Sequence, residues 1–195
     1  MRQNPARRTA LLDAAIGVLA EEGSRGLTLR AVDKAAGVPT GTASNYFSNR
    51  SQLLGQLMAR VQERLAPDPE RLARTLEAAP SRELVTALMG QLMERLRADR
   101  AGHLAMLELR LEATRRPELA AELGPFLRAE VRELTDFHVH HQLPGGRTGV
   151  FLLYLAMLGL IVNELTVPEL LADHPEEELI EALVNRLLAP ESPPV

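Results

Sequence analysis

Thirteen consecutive residues, Val150 to Val162, are apolar or glycine. Folded as a helix, that stretch is apolar on every side and must be covered on every side. A bilayer does not suit it, because a spanning helix needs roughly 20 apolar residues. One chain covers one flank, and the other flank then calls for a second chain. The competing reading is a monomer in which this stretch is the central core helix.

The remaining pattern is also helical. Leu11, Leu12, Ala15, Ile16 and Leu19 recur at helical spacing in a first helix from Pro5 to Glu22, stopped by Gly23. Thr28 caps a short helix to Ala36, with Leu29, Val32 and Ala36 inward, and Gly37 ends it. A third short helix is expected over 39–46. Asn49, with Gln52 three residues on, opens a fourth whose buried side is Leu53, Leu54, Leu57, Met58, Val61 and Leu65. Pro67-Asp68-Pro69 is a break. Beyond it, helices are expected over 70–78, 82–99 and 102–116. The next starts at Pro117 and is split or kinked at Gly124-Pro125 before it reaches Gln142. A last helix spans Pro175 to Leu188, with a broad apolar stripe from Leu179 to Leu188, and the tail from Pro190 is expected to fray. No stretch alternates apolar and polar residues long enough for a strand, so the expected fold class is all-α.

Composition removes several kinds of chemistry. The chain has no cysteine, which excludes a disulfide scaffold, a thiol nucleophile and cysteine-ligated zinc or iron–sulfur clusters. No apolar segment follows basic residues at the N-terminus, so a cytoplasmic protein with no membrane partner is expected. G-x-S-x-G, P-loop, HEXXH and dinucleotide fingerprints are all missing, so no enzyme is expected. His138 and His141 share a helix face while His140 points away, and only Asp136 is near, so no metal and no cofactor are expected. The net charge of −4 argues against nucleic acid until the chain is divided. Residues 1–64 carry a net of +4, and the rest carries −8. A basic N-terminal piece on an acidic body suggests two jobs.

The stretch Leu27 to Phe47 reads as short helix, glycine turn, short helix. That shape lays its second helix in the major groove, yet it also occurs in ordinary bundles, and geometry alone leaves both open. The residues go further. Leu27-Thr28-Leu29-Arg30, Lys34-Ala35-Ala36-Gly37-Val38, Gly41-Thr42, Tyr46-Phe47 and Asn49-Arg50-Ser51-Gln52-Leu53-Leu54, in that order and spacing, resemble the TetR (tetracycline-repressor-like) family of bacterial transcription regulators. The resemblance runs from Ala10 to Leu54, roughly a quarter of the chain.

It implies an N-terminal three-helix helix-turn-helix DNA-binding domain at 1–48, a connecting helix at 49–66, and a C-terminal helical ligand-binding and dimerisation bundle at 67–195. Thr40, Gly41, Thr42, Ser44, Asn45 and Tyr46 would lie on the recognition helix. Thr40, Thr42, Ser44 and Asn45 would reach base edges or phosphates, since asparagine can pair with adenine and threonine can offer a methyl to thymine. Tyr46 and Arg50 match positions that contact the phosphate backbone. Thr28 would set a helix N-terminus against a phosphate, and Arg7 and Arg8, with Arg2, would form a basic arm. Phe47 and Val38 belong in the core, and Arg25 and Arg30 read as solvated charges or intradomain ion pairs. Members of the family often carry a bulky aliphatic at position 43, an aromatic at 44 and a longer polar or basic residue at 40. Here Ala43, Ser44 and Thr40 stand there, so backbone contacts should carry a larger share of the affinity.

The resemblance further implies a cavity among the middle helices, with Met89, Met93, Met106, Leu107, Arg110, Leu111, Phe126, Phe137, Tyr154 and Met157 as candidate lining. The implied partners are double-stranded DNA with a pseudo-palindromic operator, a small-molecule effector, and a second copy docked through the Val150–Val162 and Pro175–Leu188 helices. The implied function is a ligand-responsive regulator, read as a repressor released by a small molecule. The alternative is a helical small-molecule-binding protein or enzyme with no DNA role; a ligand-free DNA-binding module is a third reading.

Overall fold

A computed structural model describes residues 4–188, and every regular element among them is helical. Helix α1 (Pro5–Gly26) opens on Asn4, whose side chain accepts the Arg7 amide at 3.3 Å, and its regular course breaks at Gly23. Helix α2 (Leu29–Ala35) is capped by Thr28, which accepts the Ala31 amide at 3.1 Å. Helix α3 (Arg50–Leu65) opens on Asn49, which accepts the Gln52 amide at 2.9 Å, while the Gln52 side chain reaches back to the Ser48 amide at 2.7 Å. Then come α4 (Pro69–Thr75), α5 (Arg82–Ala98), α6 (Arg100–Ala113), α7 (Pro117–His140), α8 (Gly146–Thr166) and α9 (Glu176–Leu187). The expected fraying from Pro190, like Arg2 of the basic arm, lies outside the described residues.

Two of the long helices differ from the sequence reading. Helix α7 runs unbroken through Gly124-Pro125, with proline in its interior at the loss of one backbone hydrogen bond. Helix α8 extends over 21 residues, because polar residues at both ends prolong the apolar stretch. It is thereby long and apolar enough to cross a membrane by length and composition, a test that core helices of soluble proteins also pass.

The chain forms two compact units that cut across chain order. Among the described residues, one takes in 4–66 together with Asp99–Phe126; the other takes in Pro67–Ala98 and 127–188. In the first unit α1 lies against α2, α3 and α6, and α3 against α6. Its core holds Leu11, Ile16, Leu19, Val32, Phe47, Leu53, Leu57 and Leu109, all fully or nearly fully buried. Charged groups lock these helices together. Arg64 on α3 grips Asp99 with Nε at 2.7 Å and Nη2 at 2.5 Å, and Asp99 also caps α6 through the Gly102 amide at 3.0 Å. Asp13 on α1 takes Arg60 Nε and Nη2 at 2.9 Å each.

Burial pushes the Asp99 carboxyl up, but the hydrogen bonds from Arg64 and Gly102 outweigh it and hold the group below its ordinary value. A carboxyl depressed in the folded state stabilises above its unfolded pKa, about 3.9, and that stability is lost as pH falls through the folded value. Asp99→Ala should therefore destabilise the protein by about 2–3 kcal/mol at neutral pH through loss of a cap and a bidentate pair. Urea unfolding at pH 7 and pH 3 checks this, and the difference from wild type should shrink at the lower pH.

In the second unit α5 packs on α8 and α9, and α8 on α9, around Leu84, Val85, Met93, Leu96, Leu153, Met157, Ile180 and Val184. The α7–α8 turn relies on Gly145, at φ +100°. A Cβ there would sit 2.9 Å from the Leu188 Cα, a backbone atom that cannot step aside, so glycine alone fits.

The buried His138 Nε2–H donates to the Pro144 carbonyl at 2.7 Å and pins this turn to α7. Burial lowers the His138 pKa and the hydrogen bond offsets only part of it. The unfolded chain therefore takes up a proton near pH 6.5 that the folded chain refuses, and stability falls as pH drops below that point. Thermal unfolding of wild type and His138→Gln at pH 7 and pH 5 should show a smaller pH-dependent drop in the variant.

Candidate nucleic-acid interface

The segment after α2 departs most from the sequence reading. A helix was expected over 39–46; the segment instead holds a tight turn and a single 3₁₀ turn at Ala43–Asn45. The cause is Gly41, whose φ of +93° interrupts the helical path. Helical bonding then cannot satisfy the amides of Gly41 and Ala43. Asp33 satisfies both: Oδ2 accepts the Gly41 amide at 2.7 Å and Oδ1 the Ala43 amide at 2.6 Å. Asp33 is only 2% exposed, so its charge rests on these bonds. Hydroxyls complete the turn, with Thr42 donating to the Pro39 carbonyl at 2.6 Å and Ser44 to the Gly41 carbonyl at 2.7 Å. Ala43 and Phe47 anchor the segment, both fully buried.

Asp33 was not among the residues singled out in the sequence. Its signal was nevertheless there: Leu29, Val32, Asp33 and Ala36 share one helix face, so an acid sits among the inward positions of α2.

The expected DNA-facing residues fall into two groups. Thr28, Thr40, Ser44 and Asn45 are exposed, while Gly41, Thr42 and Tyr46 are half-buried. The hydroxyl hydrogens of Thr42 and Ser44 are committed inside the turn, so their oxygens are left to act as acceptors. Arg7 is exposed. Arg8 is half-buried, donates to Gln56, and holds its guanidinium 5.8 Å from the ring centroids of both Tyr46 and Phe47. Arg50 turns toward the protein: it donates to the carbonyl of Ser24 and to its Oγ (2.6 Å) and lies 3.7 Å from Glu112 on α6.

The expected ligand-lining residues are divided between the two units. Met106, Leu107, Arg110, Leu111 and Phe126 belong to the first, and Met89, Met93, Phe137, Tyr154 and Met157 to the second. Met93 and Met157 are buried, Leu111 is exposed, and the others are half-buried. None of the ten lines either of two clefts that the units carry. One, of about 210 Å³, lies between α8, α9 and the turn that joins them, with Leu160, Pro168, Leu171 and His174 in its wall. The other, of about 480 Å³, belongs to the first unit. A polar group that the sequence reading passed over is Arg95 on α5. Burial lowers its pKa, and its Nε is buried without a hydrogen-bond partner. Among the described residues no group of histidine and acidic side chains could hold a metal.

Residues 11–57 match the family described as "Bacterial regulatory proteins, tetR family", and residues 80–190 match "Tetracyclin repressor-like, C-terminal domain". Over 85 residues the chain is 35% identical to the HTH-type transcriptional regulator BetI of Rhizobium meliloti, a stretch that takes in 44% of this chain and 41% of that curated relative. Among solved structures, a member of the TetR family (SCO1917) from Streptomyces coelicolor A3 is 27% identical, with a TM-score of 0.65 and coverage of 95% of this chain and 99% of that one. Multidrug binding protein EbrR, in complex with imidazole, is 28% identical, with a TM-score of 0.64 and coverage of 97% and 94%.

Proposed function

The chain belongs to the TetR family of bacterial transcriptional regulators, and from that premise we propose that it is a repressor whose hold on a pseudo-palindromic operator is released by a small molecule. The observation that carries this reading is the clamped segment 39–47. Its backbone is held by a buried carboxylate, its anchors are buried, and Thr40, Ser44 and Asn45 are left exposed within the basic part of the chain. A rigid backbone that displays small polar groups is what base readout needs. Residues 1–48 read DNA, 49–66 connect, and 67–195 sense and dimerise. The sensing stretch lends Asp99–Phe126 to the compact unit that holds the reader, which supports a physical link between effector and operator.

Helix α8 supports the dimer. Phe151, Leu152 and Leu155 are 44%, 43% and 46% exposed in the single chain. A second copy that pairs α8 and α9 with their twofold mates covers them. Such symmetry sets two reading segments about one DNA turn apart, roughly 34–36 Å, or farther.

The effector binds in the second unit, where Arg95, whose Nε is buried without a hydrogen-bond partner, suits an acceptor group such as a carboxylate. For release to follow, the effector must bind the DNA-free conformation better than the DNA-bound one. The protein then acts in the cytoplasm, where its operator is. Selection of bound fragments from the genome that encodes it tests the reading. Enrichment of a two-half-site sequence is expected; retention of fragments without any shared sequence would count against it.

A further inference from the structure

The cleft of about 480 Å³ in the first unit is walled almost wholly by charge: Arg25, Arg50, Arg115 and Arg116 against Glu112 and Glu118, with Ser24 and Pro117 completing it. We propose that it is a binding site for a phosphate group, apart from the residues expected to take the effector and outside the reading segment.

The charges do not cancel within the protein. Glu112 is occupied, since it takes Arg116, one turn along, and lies 3.7 Å from Arg50. Burial raises its pKa, but hydrogen bonds from Ser24 and Arg116 prevail and keep it ionised. Among the described residues Arg25 and Arg115 enter no ion pair, and both line the cleft and are exposed. The Arg50 Nε is buried with no hydrogen-bond partner. The cleft therefore offers a surplus of guanidinium donors around a space larger than one water. Guanidinium forks match tetrahedral oxyanions bidentately, which is why arginine clusters select phosphate over chloride. A wall lined mainly by charged side chains does not suit a lipophilic ligand. The first amides of α7, which starts at Pro117, add positive potential at the same place.

A phosphate could reach this site from a small phosphorylated molecule or from the backbone of a duplex. Two titrations of the full chain separate these sources. In the first, inorganic phosphate is titrated calorimetrically at constant ionic strength with chloride as the control. In the second, a duplex of arbitrary sequence is titrated across a salt series. Each is repeated with Arg25→Ala/Arg115→Ala, whose side chains are exposed, so the fold should hold and circular dichroism can verify it. Saturable phosphate binding that weakens about ten-fold or more in the variant is expected. If the salt dependence of duplex binding is unchanged, the site takes a free phosphate compound. If its slope falls by about one unit per arginine, the site takes a backbone phosphate. A folded variant that matches wild type in both titrations overturns the proposal. Phosphate binding no stronger than that of chloride, together with an unchanged slope, overturns it as well.

Discussion

Asp33→Ala should weaken operator binding severely while most of the helical content survives. The substitution strands the buried Ala43 amide and the part-buried Gly41 amide, which no backbone group replaces. Two charge-assisted hydrogen bonds are lost and two donors are left unsatisfied, a cost of about 3 kcal/mol or more. The affected turn displays Thr40, Ser44 and Asn45, so the loss falls on readout more than on global stability. Specific affinity should drop by roughly two orders of magnitude or more, because base contacts require fixed geometry. Asp33→Asn should be intermediate, since its single carbonyl oxygen can still accept one or both amides, though without the charge. Electrophoretic mobility shift with wild type and both variants, alongside thermal unfolding, measures the two effects separately. Equal operator affinity in wild type and Asp33→Ala would show that the clamp does not position the reader.

A charge placed on the open flank of α8 should have an effect of similar size by another route. Leu155 is 46% exposed in the isolated chain, so Leu155→Glu should fold as a monomer. In a dimer across this flank, the new carboxylates would be buried without partners, at a cost of several kcal/mol. Dimerisation should weaken by two orders of magnitude or more, and operator affinity with it, because one reader then engages one half-site without the benefit of linkage. Sedimentation equilibrium gives the masses directly. A wild-type monomer, or a variant that stays dimeric and binds operator normally, would place the dimer elsewhere or remove it. A wild-type protein that remains dispersed only in detergent would instead favour a bilayer as the cover for α8.

The sequence made the helices legible because their apolar spacing is regular, and it made the Leu27–Phe47 motif legible because glycines and caps punctuate it. What stayed hidden has a common physical cause: partners far apart in the chain. Periodicity carried a helix through 39–46, since it cannot show that Asp33, eight and ten residues earlier, accepts the amides that Gly41 diverts. Arg50 matched a backbone-contact position on motif alone, while its engagement with Ser24 and Glu112 spans stretches of chain that no local pattern links. The packing of Asp99–Phe126 with the N-terminal helices was likewise invisible, because the ties that make it, such as Arg64 to Asp99, pair charges that look solvated in sequence. The apolar stretch Val150–Val162 was legible in kind but not in extent: polar ends lengthen its helix to 21 residues without closing its open flank.

If the clamped segment reads sequence on duplex DNA, the protein must tell its own upstream duplex from a scrambled one. Fluorescence anisotropy with a labelled duplex from immediately upstream of the protein's own gene, titrated over a salt series beside a scrambled duplex, tests it most directly. A steep linear fall of log affinity with log salt is expected for both duplexes, with the upstream duplex bound about a thousand-fold or more tighter. Equal affinity for the two duplexes, or no binding at low salt, would contradict it.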